Sequence, residues 1–460
     1  MLRAIPILIS LGLALVAFAP NAGGAGVVDA RPVYAGAGPD TAAVPARILE
    51  QRRAALLALM EPGIAIVRSA DPRADWSHPQ DARFRQNNDF YYLTGLETPG
   101  SWLVLFKRER GPDRELLYLP KRDPAEERWS GSRPGVGDET ARRTGVEAVR
   151  PAAEFGSDIL APLGAPGSFS DYARLYVPLG GDPSLPRDVV DAAVAGRRSI
   201  VDLGVPLAEL RVRKDSVELA RLRRAVDITV EAHRAALQTV RPGVYEYELE
   251  ARIEYVFRSM GAHRLGFPSI VGSGPNSVVL HYDRNRRRME AGELVVVDVG
   301  AEYSYYTADI TRTYPVSGKF TPRQRKIYEL VLATQQTAID SVRPGITLWR
   351  LSQIARSYMR EHSDGLCGDL SCDRYFIHGL SHWLGMDVHD VGDYTAPLVP
   401  GMVITVEPGI YLPDEELGVR IEDDVLVTEK GHVVLSEGAP KTVAEIESLT
   451  KHDACECPAP

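Results

Sequence analysis

The chain has 460 residues, 44% of them hydrophobic and 25% charged, with a mean hydropathy of -0.15, which excludes a mostly disordered protein and leaves room for two or three domains. With 53 Lys and Arg against 62 Asp and Glu, the formal net charge is -9, which argues against a nucleic-acid or anionic-membrane partner. Four cysteines beside ten histidines exclude a disulfide scaffold and a cysteine-rich zinc framework.

At the N-terminus, Arg3 precedes a charge-free stretch, Ala4 to Val28, whose apolar centre is Ile7–Ala19. That centre is shorter than the ~20 residues a membrane span needs, and small residues follow it, so residues 1–30 read as a signal peptide with its cleavage site open. An exported protein, periplasmic or secreted, is expected, with no membrane contact once the leader is gone. Residues 31–44, rich in Ala, Gly and Pro, read as a linker. A helix is predicted from Pro45, carrying Ile48, Leu49, Leu56, Leu57 and Met60, until Pro62-Gly63 stops it. Four short apolar runs follow, Ile64–Val67, Phe90–Leu93, Trp102–Phe106 and Leu116–Leu119. Separated by Gly, Pro and Asp turns, they have the look of an α/β domain with a small sheet. Residues 130–200 are weakly patterned, Leu207–Asp215 reads as a bridge, and a long helix is predicted from Ser216. This organisation gives an N-terminal α/β domain over 45–210, a second domain over 211–447 and a tail over 448–460.

The second domain contains a repeat. Val240-Arg-Pro-Gly243 returns as Val342-Arg-Pro-Gly345, 102 residues later. Gly292-Glu-Leu-Val-Val-Val-Asp298-Val-Gly300 aligns with Gly401-Met-Val-Ile-Thr-Val-Glu407-Pro-Gly409, 109 residues later. His281 precedes Asp298 by 17 residues, and His389 precedes Glu407 by 18. Two related units are implied, each with helices, then a histidine, then a strand ending in a carboxylate.

Asp298 ends a β-branched run of the kind buried on both faces, where a carboxylate needs a cation or donors. Asp309 follows after Tyr303-Ser-Tyr-Tyr306, and a bent hairpin would return it to Asp298. Glu407 and Glu422 hold the matching places in the second unit. Four clustered carboxylates raise one another's pKa unless cations neutralise them, which points to two divalent metals. His378 and His382, at i and i+4, are a moderate ligand signal alone and a stronger one beside four carboxylates. One imidazole among carboxylates is oxygen-rich, suiting Mn2+ while leaving Zn2+ and Co2+ open. Two such metals activate water and polarise a carbonyl, which is hydrolytic chemistry.

Taken together, Ser381-His-Trp-Leu-Gly-Met-Asp-Val-His389-Asp, Val297-Asp298-Val-Gly, Asp309-Ile-Thr-Arg-Thr313, Val406-Glu407-Pro-Gly409 and Val419-Arg-Ile-Glu422-Asp resemble the pita-bread metallopeptidases. Within that family they are most similar to the proline-specific aminopeptidase P group. The similarity runs from about Ala46 to Glu445, and Arg85-Gln-Asn-Asn-Asp-Phe90-Tyr-Tyr-Leu-Thr-Gly95 resembles the group's first domain. The resemblance implies an α/β (α+β) protein, a creatinase-like N-terminal domain before a pita-bread catalytic domain with a pseudo-two-fold repeat. It implies metal ligands Asp298, Asp309, His382, Glu407 and Glu422, with Asp309 and Glu422 bridging. It implies that His281, His378 and His389 steady substrate, that Arg420 supports the ligands, and that Glu407 serves as acid and base. The implied reaction is attack of a metal-bridging hydroxide on the N-terminal Xaa-Pro bond of peptides with proline second, in a homo-oligomer (dimer or tetramer). Trp129 resembles a tryptophan that reaches a neighbouring subunit's site, though an ordinary surface aromatic fits it as well. A prolidase acting on Xaa-Pro dipeptides and a non-catalytic peptide-binding relative remain the alternatives.

This chain departs from the family pattern at Asp75-Trp-Ser-His-Pro-Gln80, at the loop holding Cys367 and Cys372 before His378, and in its leader. Export favours structural disulfides, and Cys367, Cys372, Cys455 and Cys457 allow three connectivities.

Overall fold

The computed structural model describes residues 43–71, 84–180 and 187–450. The expected leader, most of the linker, the Asp75–Gln80 insertion and Cys455 and Cys457 lie outside the described residues. No helix among the described residues is long and apolar enough to cross a membrane.

The first half is built on six strands: β1 (Gly63–Arg68), β2 (Trp102–Lys107), β3 (Arg114–Leu119), β4 (Ala148–Pro151), β5 (Arg174–Val177) and β6 (Ser199–Asp202). They form one mixed sheet in the order β4-β3-β2-β1-β5-β6. Its helices are α1 (Ala46–Leu59), α2 (Asn88–Thr94), α3 (Pro124–Ser130), α4 (Asp138–Thr144), α5 (Ala161–Gly164), α6 (Arg187–Ala195) and α7 (Gly204–Arg211). Three of the four apolar runs are strands, but Phe90–Leu93 lies in α2. The Asn87 side chain caps that helix at Phe90 N, and Gly95, in the left-handed region at φ 63°, closes it. The weakly patterned 130–200 stretch supplies β4, β5 and β6, and the bridge begins inside α7.

In the second half, α8 (Ser216–Thr239) starts at a capping box made by Asp215 and Glu218. It is followed by α9 (Glu246–Ser259), β7 (Arg264–Leu265), β8 (Ile270–Ser273), β9 (Leu294–Val299), β10 (Ala301–Tyr303), β11 (Tyr306–Thr307) and β12 (Ile310–Pro315). The second unit has α10 (Pro322–Asp340), α11 (Leu348–Glu361), β13 (Val403–Val406), β14 (Gly409–Leu412), β15 (Leu417–Arg420), β16 (Asp423–Thr428) and β17 (Gly431–Val434), before α12 (Val443–Leu449).

The repeat is visible in the backbone. Gly243 and Gly345 both take positive φ, 93° and 87°, a turn only glycine makes without strain. Their amides donate to matching carbonyls, Met289 and Leu398, and each turn leads into a helix of 14 residues. β9 pairs antiparallel with β12 as β13 does with β16, and helices α8–α11 bury one continuous apolar core against these strands.

The halves grip each other through charged and aromatic side chains. Arg85 reaches Glu302 (2.8 Å) and the Met386 carbonyl (3.0 Å), and Asn88 reaches Asp387 (2.7 Å). Arg211 bridges Asp89 (2.8 Å) and the buried Asp390 (2.6 Å), while Tyr91 stacks on Tyr305. Lys214, also buried, reaches the other oxygen of Asp390 (3.3 Å), so two cations share a carboxylate that would cost roughly 3–5 kcal/mol if left unpaired.

Candidate metal centre

Each unit delivers its two carboxylates in the same way. Asp298 sits near the end of β9, fully buried like its neighbours, and Asp309 immediately precedes the partner strand β12. The turn between them carries Ser304 and Tyr305 at φ 48° and 75°, the bent hairpin the sequence implies. In the second unit Glu407 follows β13 and Glu422 immediately precedes β16. The two arms interlock: Glu422 N donates to the Thr311 carbonyl (3.0 Å), and Arg420 N donates to the Thr313 hydroxyl (3.1 Å). All four carboxylates therefore face one cavity of about 340 Å³, which His281, His378, His382, His389 and Arg420 also line. Every site residue read from the sequence is brought together.

His382 has a defined tautomer. Its Nδ1 lies 3.1 Å from the Trp383 carbonyl, which can only accept, so Nδ1 carries a proton and, in the neutral ring, Nε2 is the nitrogen that offers a lone pair. That Nε2 points at the carboxylates: 3.3 Å from Asp309, 3.5 Å from Glu407 and 4.0 Å from Glu422. Asp309, His382 and Glu422 each offer a ligand atom, all within 4.8 Å of one another. His389 lies against the His382 ring, centroids 4.3 Å apart.

The electrostatics call for cations. Burial, then Asp298, Asp424 and Glu407, push the Asp309 carboxyl well above the usual range. Burial, then Asp309, Glu407 and Asp298, do the same to Glu422, and burial chiefly raises Glu407. Asp298 is tied to Arg420 through one oxygen (2.6 Å), while its other oxygen is buried without a partner. Four carboxylates, a bare imidazole nitrogen and an orphaned oxygen fit divalent metals: full ionisation needs positive charge that one arginine does not supply.

His378 is different. Its Nδ1 donates to the Gly379 carbonyl (2.8 Å) and lies 3.5 Å from Glu407; its Nε2 accepts from the Tyr411 hydroxyl (2.8 Å). Burial, then the charge of Arg420, hold its pKa down at about 3, so the ring is neutral. Arg420 donates to Tyr411 (3.0 Å) and Thr311 (3.1 Å), and Thr311 donates to Glu422 (2.6 Å). Asp424 accepts from Asp309 N (3.2 Å).

Thr311, Tyr411 and Asp424 were not singled out from the sequence. Thr311 had a usable signal, because in Asp309-Ile-Thr-Arg-Thr313 it shares the ligand's strand face. Tyr411, on a separate hairpin, had none. The Tyr303–Tyr306 aromatics do not line the cavity: Tyr305 packs on Tyr91, and Tyr306 donates to Glu218. A larger cavity of about 610 Å³ lies between the halves, but none of the candidate residues lines it, and its Arg85 and Arg211 are engaged by Glu302, Asp89 and Asp390.

Comparison with known proteins gives two family matches: metallopeptidase family M24 over residues 220–429, and the aminopeptidase P N-terminal domain over 49–165. A Xaa-Pro aminopeptidase of Escherichia coli K12 is 36% identical over 426 residues, covering 87% of this chain and 96% of that protein. Among solved structures, proline aminopeptidase P II from Yersinia pestis superposes with a TM-score of 0.79 at 34% identity, covering 88% of this chain and 99% of that one. Zn-substituted E. coli aminopeptidase P, solved with product, superposes at 0.81 with 34% identity, covering 88% and 98%.

Proposed function

The chain belongs to metallopeptidase family M24 and is a metal-dependent aminopeptidase; from that premise we propose that it hydrolyses the N-terminal Xaa-Pro bond of peptides, using two divalent cations held by Asp298, Asp309, His382, Glu407 and Glu422. What carries the reading is the convergence of these five side chains on one cavity, with His382 Nε2 bare and aimed at the carboxylates. Bound there, the cations would neutralise the carboxylates, acidify a water and polarise the scissile carbonyl.

The chain's own residues do the rest. Glu407, fixed by a hydrogen bond from Thr405 (3.3 Å), takes the proton of the attacking water and passes it to the departing proline nitrogen. That nitrogen carries no hydrogen in the peptide, so it leaves as a secondary amine only when protonated. His281 and His389, exposed at the cavity mouth, donate to the substrate carbonyl. Neutral His378, locked by Tyr411, shapes the wall against which the peptide lies. Arg420 keeps Asp298 and, through Thr311, Glu422 in place.

Manganese is the cation we assign, because the donor set is oxygen-rich; zinc and cobalt also suit a site with one imidazole among carboxylates. We also read the protein as exported, on its leader-like first thirty residues, and as a homo-oligomer, for which Trp129, 84% exposed on α3, is a natural contact.

The test is hydrolysis of Gly-Pro-Ala against Gly-Pro, before and after chelation and reloading with Mn2+. Cleavage of the tripeptide, sparing of the dipeptide and loss of activity on chelation are expected. Asp298→Ala and Glu407→Ala should each lose about a thousandfold or more in kcat/KM. Full activity in chelated protein would overturn the reading, and preference for the dipeptide would replace it with a prolidase.

A further inference from the structure

The two loops that present histidines to the cavity are anchored by different means. In the first unit the anchor is Glu246, a fully buried carboxylate at the start of α9. It accepts from Ser273 N (2.8 Å), the Ser273 hydroxyl (2.7 Å), Asn276 (3.0 Å), the Tyr282 hydroxyl (3.0 Å) and Arg287 N (2.8 Å). Tyr282 adjoins His281, so that wall is held by one acid. The repeat puts Leu348 at the equivalent place in the second unit, and an apolar side chain cannot do this.

There the work passes to α11 and to a disulfide between Cys367 and Cys372. Both cysteines are buried in the core of the second half, beside Met359 and Phe376. Cys372 N donates to the Ser363 hydroxyl (2.8 Å), which itself donates to the Met359 carbonyl (2.8 Å). From Cys372 the chain runs through one 3-10 turn, Cys372–Tyr375, and no strand before reaching His378. No sheet ladder fixes this stretch, so side chains must. Arg360 grips Asp373 (2.8 Å), and Arg356 donates to the carbonyls of Phe376 (2.8 Å) and His378 (2.9 Å) while lying over the Phe376 ring. Upstream, Gly365 and Gly368 take positive φ and residues 368–370 are exposed, a loop with high freedom when unlinked.

We propose that the Cys367–Cys372 disulfide and Arg356 form a positioning brace for His378, so that the oxidation state of this one bond sets the affinity of the site for its peptide. The proposal rests on the aminopeptidase reading above. It assigns the bond a role at the site in addition to the stability a cross-link confers. Reduction by a dithiol moves two electrons and two protons onto the pair, giving two thiols and the reductant's own disulfide. Asp298, Asp309, Glu407 and Glu422 lie on or beside β9, β12, β13 and β16. His382, four residues past His378, is tied to β13: Thr405 N donates to its carbonyl, and its own amide donates to the Thr405 hydroxyl (both 3.1 Å). Reduction should therefore displace the wall formed by His378 and leave the ligands in place.

Two readouts test it. The first is steady-state hydrolysis of Gly-Pro-Ala by oxidised protein, by protein reduced metal-free, desalted without air and then loaded with Mn2+, and by C367A/C372A. KM should rise about fivefold or more in the last two while kcat stays within about twofold. Bound metal per chain should be unchanged, dithiol should have no effect on C367A/C372A, and Arg356→Gln should move KM in the same direction. The second is hydrogen exchange, with the amides of residues 373–378 exchanging about tenfold faster once the bond is open. Unchanged KM with unchanged exchange would overturn the brace, as would loss of bound metal on reduction. Faster exchange in a protein that cleaves no Xaa-Pro peptide would sink the aminopeptidase reading and leave the brace standing. Should C367A/C372A not fold, reduced wild type and Arg356→Gln carry the same comparison.

Discussion

Single hydrogen bonds decide what the histidines can do. His382 and His378 lie four positions apart and face one cavity, yet a carbonyl on Nδ1 frees one for ligation, while Tyr411 occupies the Nε2 of the other. The spacing was legible in the sequence; the division of labour was not, because it depends on the Trp383 carbonyl and on a tyrosine from another hairpin. His233 shows the opposite case, a histidine with both ring nitrogens spent on structure. Buried in α8, it donates through Nε2 to the Ile310 carbonyl (3.0 Å) and accepts at Nδ1 from Tyr314 (2.8 Å). Burial, then the charge of Arg312, lower its pKa to about 3 from an ordinary 6.5. The unfolded chain therefore takes up a proton that the folded one refuses. The stabilisation is complete above pH 6.5 and is lost as pH falls from there toward 3, on the order of 5 kcal/mol in all. In urea titrations between about pH 6 and pH 4, His233→Gln should show a pH slope shallower by about one proton than wild type. Equal slopes would show that His233 is not the residue responsible.

At the scale of elements, the hairpins that carry the carboxylates were the most readable part of the chain. Their strands are β-branched and buried on both faces, so pattern and position agree. The tolerance of these hairpins is small. A Cβ on Gly300 would lie 1.8 Å from the Ala308 carbonyl oxygen and 2.8 Å from the Phe267 ring, against backbone that cannot swing aside. Gly300→Ala should therefore push the arm bearing Asp309 outward, with a stability loss of about 3 kcal/mol and a weaker response to added Mn2+. Thermal melting and metal titration would measure both, and a variant melting like wild type would refute the close approach. Strands β4, β5 and β6 were poorly legible, because four residues are too short to show a period, and on β4 and β6 at the sheet's edges partial burial blurs it further. The Phe90–Leu93 run resembles a strand by composition, and only its caps and its packing make it a helix.

Across the whole molecule, the loop 386–390, which carries His389, is held by Arg85, Asn88 and, at the end of α7, Arg211. Arg85 and Glu302 are 217 residues apart in sequence, and no local pattern announces such a contact. The proposed ligand set is spread just as widely, from Asp298 to Glu422, across both units of the repeat. Cations held by it would close loops of more than a hundred residues and would have to be released before the chain could unfold. Folding and metal uptake are then one linked equilibrium: free metal at about a hundred times its Kd adds about 2.7 kcal/mol, and Tm should climb with the logarithm of free Mn2+. A Tm indifferent to chelator would break that linkage. The duplicated fold would thus make heat resistance a gauge of the metal supply around the protein, with scarcity lowering its melting temperature along with its activity.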